Sequence, residues 1–462
     1  MSRLLFRTFT DQKLAQNAYL IGCQKTGEAI IVDPPRYYAH IVEAAQKEGM
    51  KITAAVDTHI HADYVSGARQ LAVEEGAQLY LSKEGGDEWR YRFVEEVQAI
   101  EIGEGDRFSI GNIDFDVWHT PGHTPESISL FVTDRGGGAT EPLGILTGDF
   151  VFVGDVGRPD LLEKAAGAKG TSAIGGRQMF ESLQRFKALP EHLIVWPGHG
   201  AGSACGKSLG AVPLSTVGYE LQFNWAMQIE DEETFIETLL KDQPEAPVYF
   251  ARMKEMNRQG PSVVQPVVQK VVSTAEEARL AFEQTSQRID VRPAEEAHQQ
   301  LLPRSVNIPY TLSDFSTWAG WLINVEESIL LIGGTNHLQE IMIALQSIGV
   351  DEVAYQMDEQ WMDIIEEDKA SYEFIQASSS SVEPGSVLLD VRNETEWQEG
   401  HHEQAVHHFV GRIQSYQQQD PTQKLYVHCV SGARSAIASS YLASRGYSHI
   451  SNLIGSYQQL KA

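Results

Sequence analysis

Short apolar, β-rich runs alternate with stretches of helical character through the first half of the chain. Ala29–Val32, Ala54–Val56, Leu79–Leu81, Phe115–Trp118, Leu143–Leu146 and Leu193–Trp196 read as strands, and Tyr38–Lys47 and Gly176–Lys187 as helices. Several of these strands run straight into His, Asp or Gly, where loops that carry chemistry begin, so a functional rim is expected at their ends. Beyond about residue 265 the pattern changes. Ile289-Asp-Val-Arg292 recurs as Leu389-Asp-Val-Arg392, and Ser305-Val-Asn307 as Ala405-Val-His407. Two matches in one register point to a duplicated unit of roughly ninety residues, the size of a small domain. The expected domains are 1–265, 266–360 and 361–462, with the polar run Ala377–Gly385 as a surface loop inside the last.

Composition narrows the class. A chain of 462 residues is too long for one core, and 42% hydrophobic with 21% charged residues fits a soluble globular protein. With 36 Lys+Arg against 63 Asp+Glu the net charge is −27, a field that repels phosphate backbones and anionic lipid, so neither nucleic acid nor membrane is expected as a partner. Charges interrupt the first residues before an apolar core forms, and no later stretch reaches the ~18 apolar residues of a span, which makes the cytoplasm the expected location. Cys23, Cys205 and Cys429 are too few and odd in number for a disulfide framework. Cys23, within Leu20-Ile-Gly-Cys-Gln24, reads as structural.

Thr58-His-Ile-His-Ala-Asp-Tyr64 leaves a strand with two imidazoles and a carboxylate within five residues. Thr120-Pro-Gly-His-Thr124, Thr147-Gly-Asp149 and Trp196-Pro-Gly-His-Gly200 each set a ligand-type residue beside a tight turn. Turn-flanked ligands drawn from several strand ends are what metal coordination requires, and imidazole with carboxylate suits zinc, iron or manganese. His401, His402, His407 and His408 lack ligand spacing and are not expected to hold a metal.

The order HxHxD, PGHT, TGD and PGH over the first 240 or so residues resembles the metallo-β-lactamase fold. More narrowly, Thr58–Asp63, His119–Thr124 and Gly154-Asp-Val-Gly-Arg-Pro-Asp160 resemble its persulfide dioxygenase branch. That resemblance implies one Fe(II) per chain on His59, His123 and Asp149, a facial triad with positions left open for substrate and O2. Hydrolytic members of the fold carry a further histidine where Tyr64 stands. A phenol, with a pKa near 10, is a poor substitute, which weakens a two-metal mechanism. His61, Asp63 and His199, the material of a second metal position, are then expected to hold water or substrate around the iron. Arg158 and Asp160 are expected to brace the site as a pair.

Tyr426-Val-His-Cys-Val-Ser-Gly-Ala-Arg-Ser435 puts a cysteine at the end of an apolar strand, followed by a loop and a helical stretch, Ala436–Ser444. Loop amides at a helix N-terminus beside a guanidinium form an anion cradle that favours a reactive thiolate. Cys-x-x-Gly-x-Arg, preceded by Leu389–Arg392 and Glu396-Trp397, resembles the rhodanese sulfurtransferases. The resemblance makes Cys429 the persulfide carrier and Arg434 a loop residue near the bound sulfur anion, with Asp390 and Arg392 in support. In the first copy the matching strand end, Leu330–Asn336, has no cysteine, so that copy resembles a degenerate rhodanese and is expected to carry no chemistry. Cys205 sits in the glycine-rich Gly200–Lys207, six residues past His199, and is a candidate for persulfide handling at the metal pocket.

Over nearly its whole length the chain resembles the bacterial fused persulfide dioxygenase–sulfurtransferases. The expected fold is α/β: a metallo-β-lactamase αββα sandwich followed by two rhodanese-like α/β domains. The expected activity is Fe(II)-dependent oxidation of a low-molecular-weight thiol persulfide by O2 to sulfite and thiol. Cys429 then passes sulfane sulfur to sulfite, giving thiosulfate, in a homo-oligomer. The alternatives are a two-zinc thioester hydrolase of the glyoxalase II type with an appended rhodanese domain, which Tyr64 opposes, and a non-catalytic sulfur-carrying scaffold, which the intact ligand motifs oppose.

Overall fold

A computed structural model of the chain describes residues 4–161, 163, 170–207, 209–378, 381–418 and 420–461. It divides into two compact units, residues 1–264 and 265–462. In the first unit, β1 (Leu4–Asp11), β2 (Gln16–Cys23), β3 (Glu28–Val32), β4 (Lys51–Val56), β5 (Gln78–Ser82) and β6 (Ile100–Ile102) form one sheet in that order. A second sheet runs from β7 (Arg107–Ile110) through β8 (Ile113–His119), β9 (Ile128–Asp134), β10 (Gly144–Gly148) and β11 (Ile194–Pro197) to β12 (Ser215–Thr216).

Alternation along the buried strands builds the layers. In β2, Ala18 and Leu20 face the helices Ala39–Lys47 and Ala68–Glu75, whereas Tyr19, Ile21 and Cys23 face the second sheet. In β3, Ala29 and Ile31 go to the helix side, and Ile30 and Val32 to the sheet side. In the second sheet, Leu146 and Trp196 point back at the first, while Ile145 and Val195 pack outward on Met179, Leu183 and Phe186 of the helix Thr171–Phe186. A side-chain period of two thus yields helix, sheet, sheet, helix, the expected sandwich.

The six expected strands are present; the first four extend beyond their apolar cores, and the runs Leu143–Leu146 and Leu193–Trp196 start one residue later, as Gly144–Gly148 and Ile194–Pro197. The hairpin β1–β2 and strand β9 were not singled out by the pattern. The helix expected to start at Gly176 begins at Thr171, because the Glu163 carboxylate accepts from Gly170 N and Ser172 N and so satisfies amides of its first turn. Gly175 allows close approach instead of marking the start: a Cβ there would lie 2.6 Å from Pro159 Cβ and 2.8 Å from Gly122 O.

The second unit contains two five-stranded sheets of one topology. The strands β13 (Lys270–Val271), β14 (Gln287–Asp290), β15 (Ser305–Asn307), β16 (Ile329–Ile332) and β17 (Tyr355–Met357) lie in the order β13-β17-β16-β14-β15. The strands β18 (Glu373–Gln376), β19 (Val387–Asp390), β20 (Ala405–His407), β21 (Leu425–His428) and β22 (Ile450–Ile454) repeat it as β18-β22-β21-β19-β20, with every pairing parallel in both. The detail repeats as well. Arg292 donates to Asp290 at 2.6 Å and to the Gln300 carbonyl at 2.9 Å, and Arg392 makes the same bonds to Asp390 and Gly400. The polar run Ala377–Gly385 joins β18 to β19; residues 379–380 of it lie outside the described residues. Among the described residues no helix is long and apolar enough to cross a membrane.

Candidate metal centre and candidate thiol loop

Strand ends of both sheets deliver the ligand-type residues to one place. His59 and His61 follow β4, His123 follows β8, Asp149 follows β10 directly, and His199 lies two residues past β11. All five are buried. His59 Nε2 stands 3.9 Å and His123 Nε2 3.5 Å from Asp149 Oδ2. His59 Nε2 and Asp149 Oδ2 are buried polar atoms without a hydrogen-bond partner, which is what a site shaped for a cation leaves exposed to it.

The ring protons are fixed from behind. The Arg158 carbonyl can only accept, so His123 Nδ1, 3.0 Å away, carries the proton and Nε2 keeps its lone pair. Thr58 Oγ1 donates to Asp33 Oδ2 at 3.0 Å and accepts from His59 Nδ1 at 3.0 Å, with the same result for His59. Burial pushes both imidazoles below their usual pKa, His59 with help from the neighbouring His61, and so favours the neutral ligand form. Burial works against the Asp149 charge, but His199, His59 and His123 hold its carboxyl well below the usual range. Two neutral imidazoles and a carboxylate therefore fit a divalent metal.

His61, Asp63 and His199 lie around this centre. His61 Nε2 is 3.1 Å from Asp33 Oδ1. Burial opposes its charge, but Asp33 and Asp57 push its pKa up to about 9. Its ring packs against Tyr64, centroids 4.4 Å apart, and the Tyr64 hydroxyl lies 3.4 Å from Asp33 O and accepts from Gln16 Nε2 at 3.3 Å. His199 bridges two carboxylates, with Nδ1 2.7 Å from Asp149 Oδ1 and Nε2 2.7 Å from Asp63 Oδ2. Burial opposes the imidazolium, yet these two carboxylates raise its pKa well above the usual value. His199 thus steadies Asp149 by one oxygen and leaves the other to the cluster.

Arg158 and Asp160 form a buried two-bond ion pair, 2.7 Å in each bond, and Arg158 also donates to Pro244 O. The Arg158 amide donates to Cys205 O at 3.2 Å, tying the glycine-rich loop to the His123 support. Cys205 is buried with Asp63 and His199, their ligand-type atoms within 4.8 Å of one another. Burial, reinforced by Asp63 and Asp149, pushes its thiol up. Beside His123 opens a cavity of about 440 Å³, walled by Trp89, Pro125, Pro159, Ile174 and Lys254, a size that suits a small organic substrate. Asp33 and Asn257 escaped sequence reasoning. Asp33 precedes Pro34-Pro35 at the end of β3, and Asn257 holds the His61 and Tyr64 carbonyls at 2.7 Å from a helix far along the chain. Only the Asp-Pro-Pro turn left a signal.

In the second unit Cys429 is the first residue after β21 and is buried. Gly432 N donates to its Sγ at 3.2 Å and Ser435 Oγ at 3.4 Å. Gly432, at φ +99°, caps the helix Ala433–Ala443, which begins three residues before the expected Ala436. That start places Arg434 in the first turn of the helix, paired to Glu396 by bonds of 2.6 and 2.8 Å. Gly333 occupies the matching place after β16. Among the other histidines, His401, His407 and His408 each have a ring nitrogen 2.8 Å from a backbone carbonyl, and His401 stacks on Trp397. Cys23 is buried in the sandwich, where its Sγ accepts from Asn112 N.

Residues 12–199 match the metallo-beta-lactamase superfamily and residues 376–462 a rhodanese-like domain. The mitochondrial persulfide dioxygenase ETHE1 of Mus musculus is 26% identical over 234 residues, 50% of this chain and 78% of that protein. A hydroxyacylglutathione hydrolase of Rhodospirillum rubrum is 30% identical over 181 residues, 39% of this chain and 60% of that protein. The crystal structure of a metallo-beta-lactamase from Staphylococcus aureus subsp. aureus COL is 43% identical, with a TM-score of 0.69, covering 77% of this chain and 99% of that one. With ligand-type residues gathered at the rim of a two-sheet sandwich, the chain belongs to the metallo-β-lactamase superfamily and carries a rhodanese-like domain at its C-terminal end.

Proposed function

We propose that the chain is an Fe(II)-dependent persulfide dioxygenase fused to a sulfurtransferase. One observation carries this reading: His59, His123 and Asp149 converge on one point, while His61 is tied to Asp33 and a phenol stands at position 64. These three residues would hold one iron per chain. When bound, iron supplies open positions and redox capacity for joining O2 to sulfur. The chain's own groups do the rest. Arg158 O and Thr58 Oγ1 hold the ligand tautomers, His199 holds Asp149, and the cavity beside His123 takes the low-molecular-weight thiol persulfide. One persulfide, one O2 and one water give one thiol, one sulfite and two protons; the sulfane sulfur loses four electrons and O2 gains them.

The second half of the reaction uses Cys429. Its thiolate attacks the outer sulfur of a second persulfide, the donor S–S bond breaks, and the thiol leaves with the electron pair. Sulfite then attacks that sulfur, Cys429 leaves as thiolate, and thiosulfate forms. The Gly432 amide and Ser435 hydroxyl, both directed at Sγ, are placed to stabilise the thiolate and its persulfide. The first copy, with Gly333 at this place and the Asp290–Arg292 brace intact, is read as a rhodanese-like domain without chemistry. Similarity to a hydroxyacylglutathione hydrolase favours a second reading, a two-zinc thioester hydrolase. It requires His199 and Asp63 as ligands of a second metal, together with a histidine where Tyr64 stands, and that phenol opposes it.

The test is O2 uptake by protein reconstituted anaerobically with Fe(II) and supplied with glutathione persulfide or coenzyme A persulfide, with sulfite and thiosulfate measured together. Uptake that needs both iron and persulfide, with thiosulfate among the products, is expected. Thioester cleavage without uptake would replace this reading with the hydrolase.

A further inference from the structure

The second unit contains an arginine cluster that neither reaction uses. Arg304 and Arg445 line a cleft of about 790 Å³ together with Tyr441, Asn324 and Glu327. Its walls come from both copies of the repeat, Ser286–Glu327 in the first and Gln414, Tyr441 and Arg445 in the second. Arg288 adjoins the lining residue Gln287 and is 5% exposed. Its guanidinium donates to the carbonyls of Pro303, Phe282 and Thr285, and its buried Nε has no partner. Among the described residues none of the three arginines makes a salt bridge. Glu327 is the one carboxylate of the lining, and its Oε1 is taken by Asn324 Nδ2 at 3.0 Å.

Glu367 acts on Arg288 and Glu327 on Arg445, but neither closes an ion pair with a guanidinium, so three arginines gather here with their charges only partly offset in a chain of 63 acidic and 36 basic residues. Burial, and then the charge of Arg304 with a smaller push from Arg445, bring Arg288 down to about 10 although Glu367 opposes them. Arg304 adds backbone strain. Its φ is +60°, a conformation that costs a residue with a Cβ, and its amide is tied to Ser444 O at 2.9 Å. Arg445 lies over the Tyr441 ring at 3.6 Å, and its NH1 donates to Ser305 O at 3.1 Å, which fixes its fork. Strain and repulsion held in place by packing indicate a group that neutralises them when bound.

We infer that this cleft binds a polyvalent oxyanion, either free or as the phosphate end of an organic molecule, held by the forks of Arg304 and Arg445 with Arg288 in the field behind them. Guanidinium groups are suited to that geometry because they bond oxyanions in pairs. The cleft is separate from the thiol loop. The helix Ala433–Ala443 begins at that loop, Arg445 follows its far end, and eleven residues at ~1.5 Å each span about 16 Å.

The test is calorimetric titration of the full chain with inorganic pyrophosphate and, separately, with ADP. Saturable binding is expected, weakened about tenfold or more by Arg304→Asn, since a bond to a charged group is worth roughly 1.5–3 kcal/mol. Asparagine tolerates the left-handed backbone, and no side-chain bond of Arg304 is lost to the fold. Equal affinity for both probes identifies a free oxyanion as the ligand, and tighter ADP binding identifies an organic phosphate. Should Arg304→Asn lose its wild-type melting transition, Arg304→Lys replaces it, with a several-fold weakening expected. No saturable heat with either probe, or unchanged affinity in the folded variant, overturns the inference.

Discussion

His61 Nε2 lies 3.1 Å from Asp33 Oδ1, whereas His59 and His123 turn their Nε2 atoms to within 3.9 and 3.5 Å of Asp149 Oδ2. On the proposed reading the Asp33 contact separates the paired histidines of one motif, His59 as a metal ligand and His61 as its neighbour bound to Asp33. Asp33 also accepts from Thr58 N at 2.7 Å and Thr58 Oγ1 at 3.0 Å, so one carboxylate governs both. Replacing it with alanine removes three buried bonds, one of them to a charged ring. Asp33→Ala should lose about 3–5 kcal/mol in chemical denaturation, and metal retention should fall with it, because the Thr58 hydroxyl that orients His59 loses its anchor. A stable variant with full metal content would detach Asp33 from this role.

Gly157 tests the backbone under Asp149. A Cβ at residue 157 would lie 1.8 Å from Asp149 O and 3.0 Å from His123 Cβ, so the chain must shift at two candidate ligands at once. Gly157→Ala should weaken metal binding by about 10–100-fold, the range seen when ligand supports are removed. The measurement is a competition titration against a chromophoric chelator. An unaltered dissociation constant would mean that the rim yields without cost.

The proposed function gives Cys429 a part in one activity and none in the other. Cys429→Ala should leave O2 uptake in place while the product moves from thiosulfate to sulfite, because sulfane sulfur loses its carrier but the metal centre is untouched. Ion chromatography of both anions over a time course decides this. An unchanged product ratio removes the relay.

The Glu396–Arg434 pair makes a pH-dependent contribution beside that cysteine. Burial raises the Glu396 carboxyl, but Arg434 outweighs it and leaves the pKa below the ordinary value of 4.5. A carboxyl whose folded pKa is depressed stabilises the fold fully above its unfolded pKa and loses that contribution as pH falls through the folded value. The wild-type advantage over Glu396→Gln in melting temperature should therefore hold from pH 7 to about 5 and shrink as pH falls below the ordinary 4.5 and through the lower folded pKa. A gap that stays constant over the whole range would assign the pair no electrostatic contribution.

The periodicity of the strands, the four ligand motifs and the Asp-Val-Arg repeat were readable because each is local. Alternation in β2 and β3 sorts side chains between two layers without reference to distant residues. The Asp–Arg brace spans two positions, so its recurrence shows directly in the sequence. What was hidden depends on long-range contacts. The Asp33–His61 bond crosses 28 residues and Asn257 reaches back 196 to the His61 carbonyl, and neither leaves a periodic signature. Helix starts were misplaced where remote or irregular groups satisfy the first amides: Glu163 moves one start to Thr171, and the Gly432 turn moves another to Ala433. Arg434 accordingly sits against Glu396 on a helix, although the motif suggested a loop.

A single three-residue metal centre fixes the stoichiometry of the proposed enzyme, which is measured by titrating the metal-free protein with Fe(II) under argon. Oxygen uptake with glutathione persulfide should rise linearly to one iron per chain and then stay flat, and His59→Ala or Asp149→Ala should lose both the iron and the uptake. A requirement for two metals per chain, or activity with zinc on a thioester, would contradict the account.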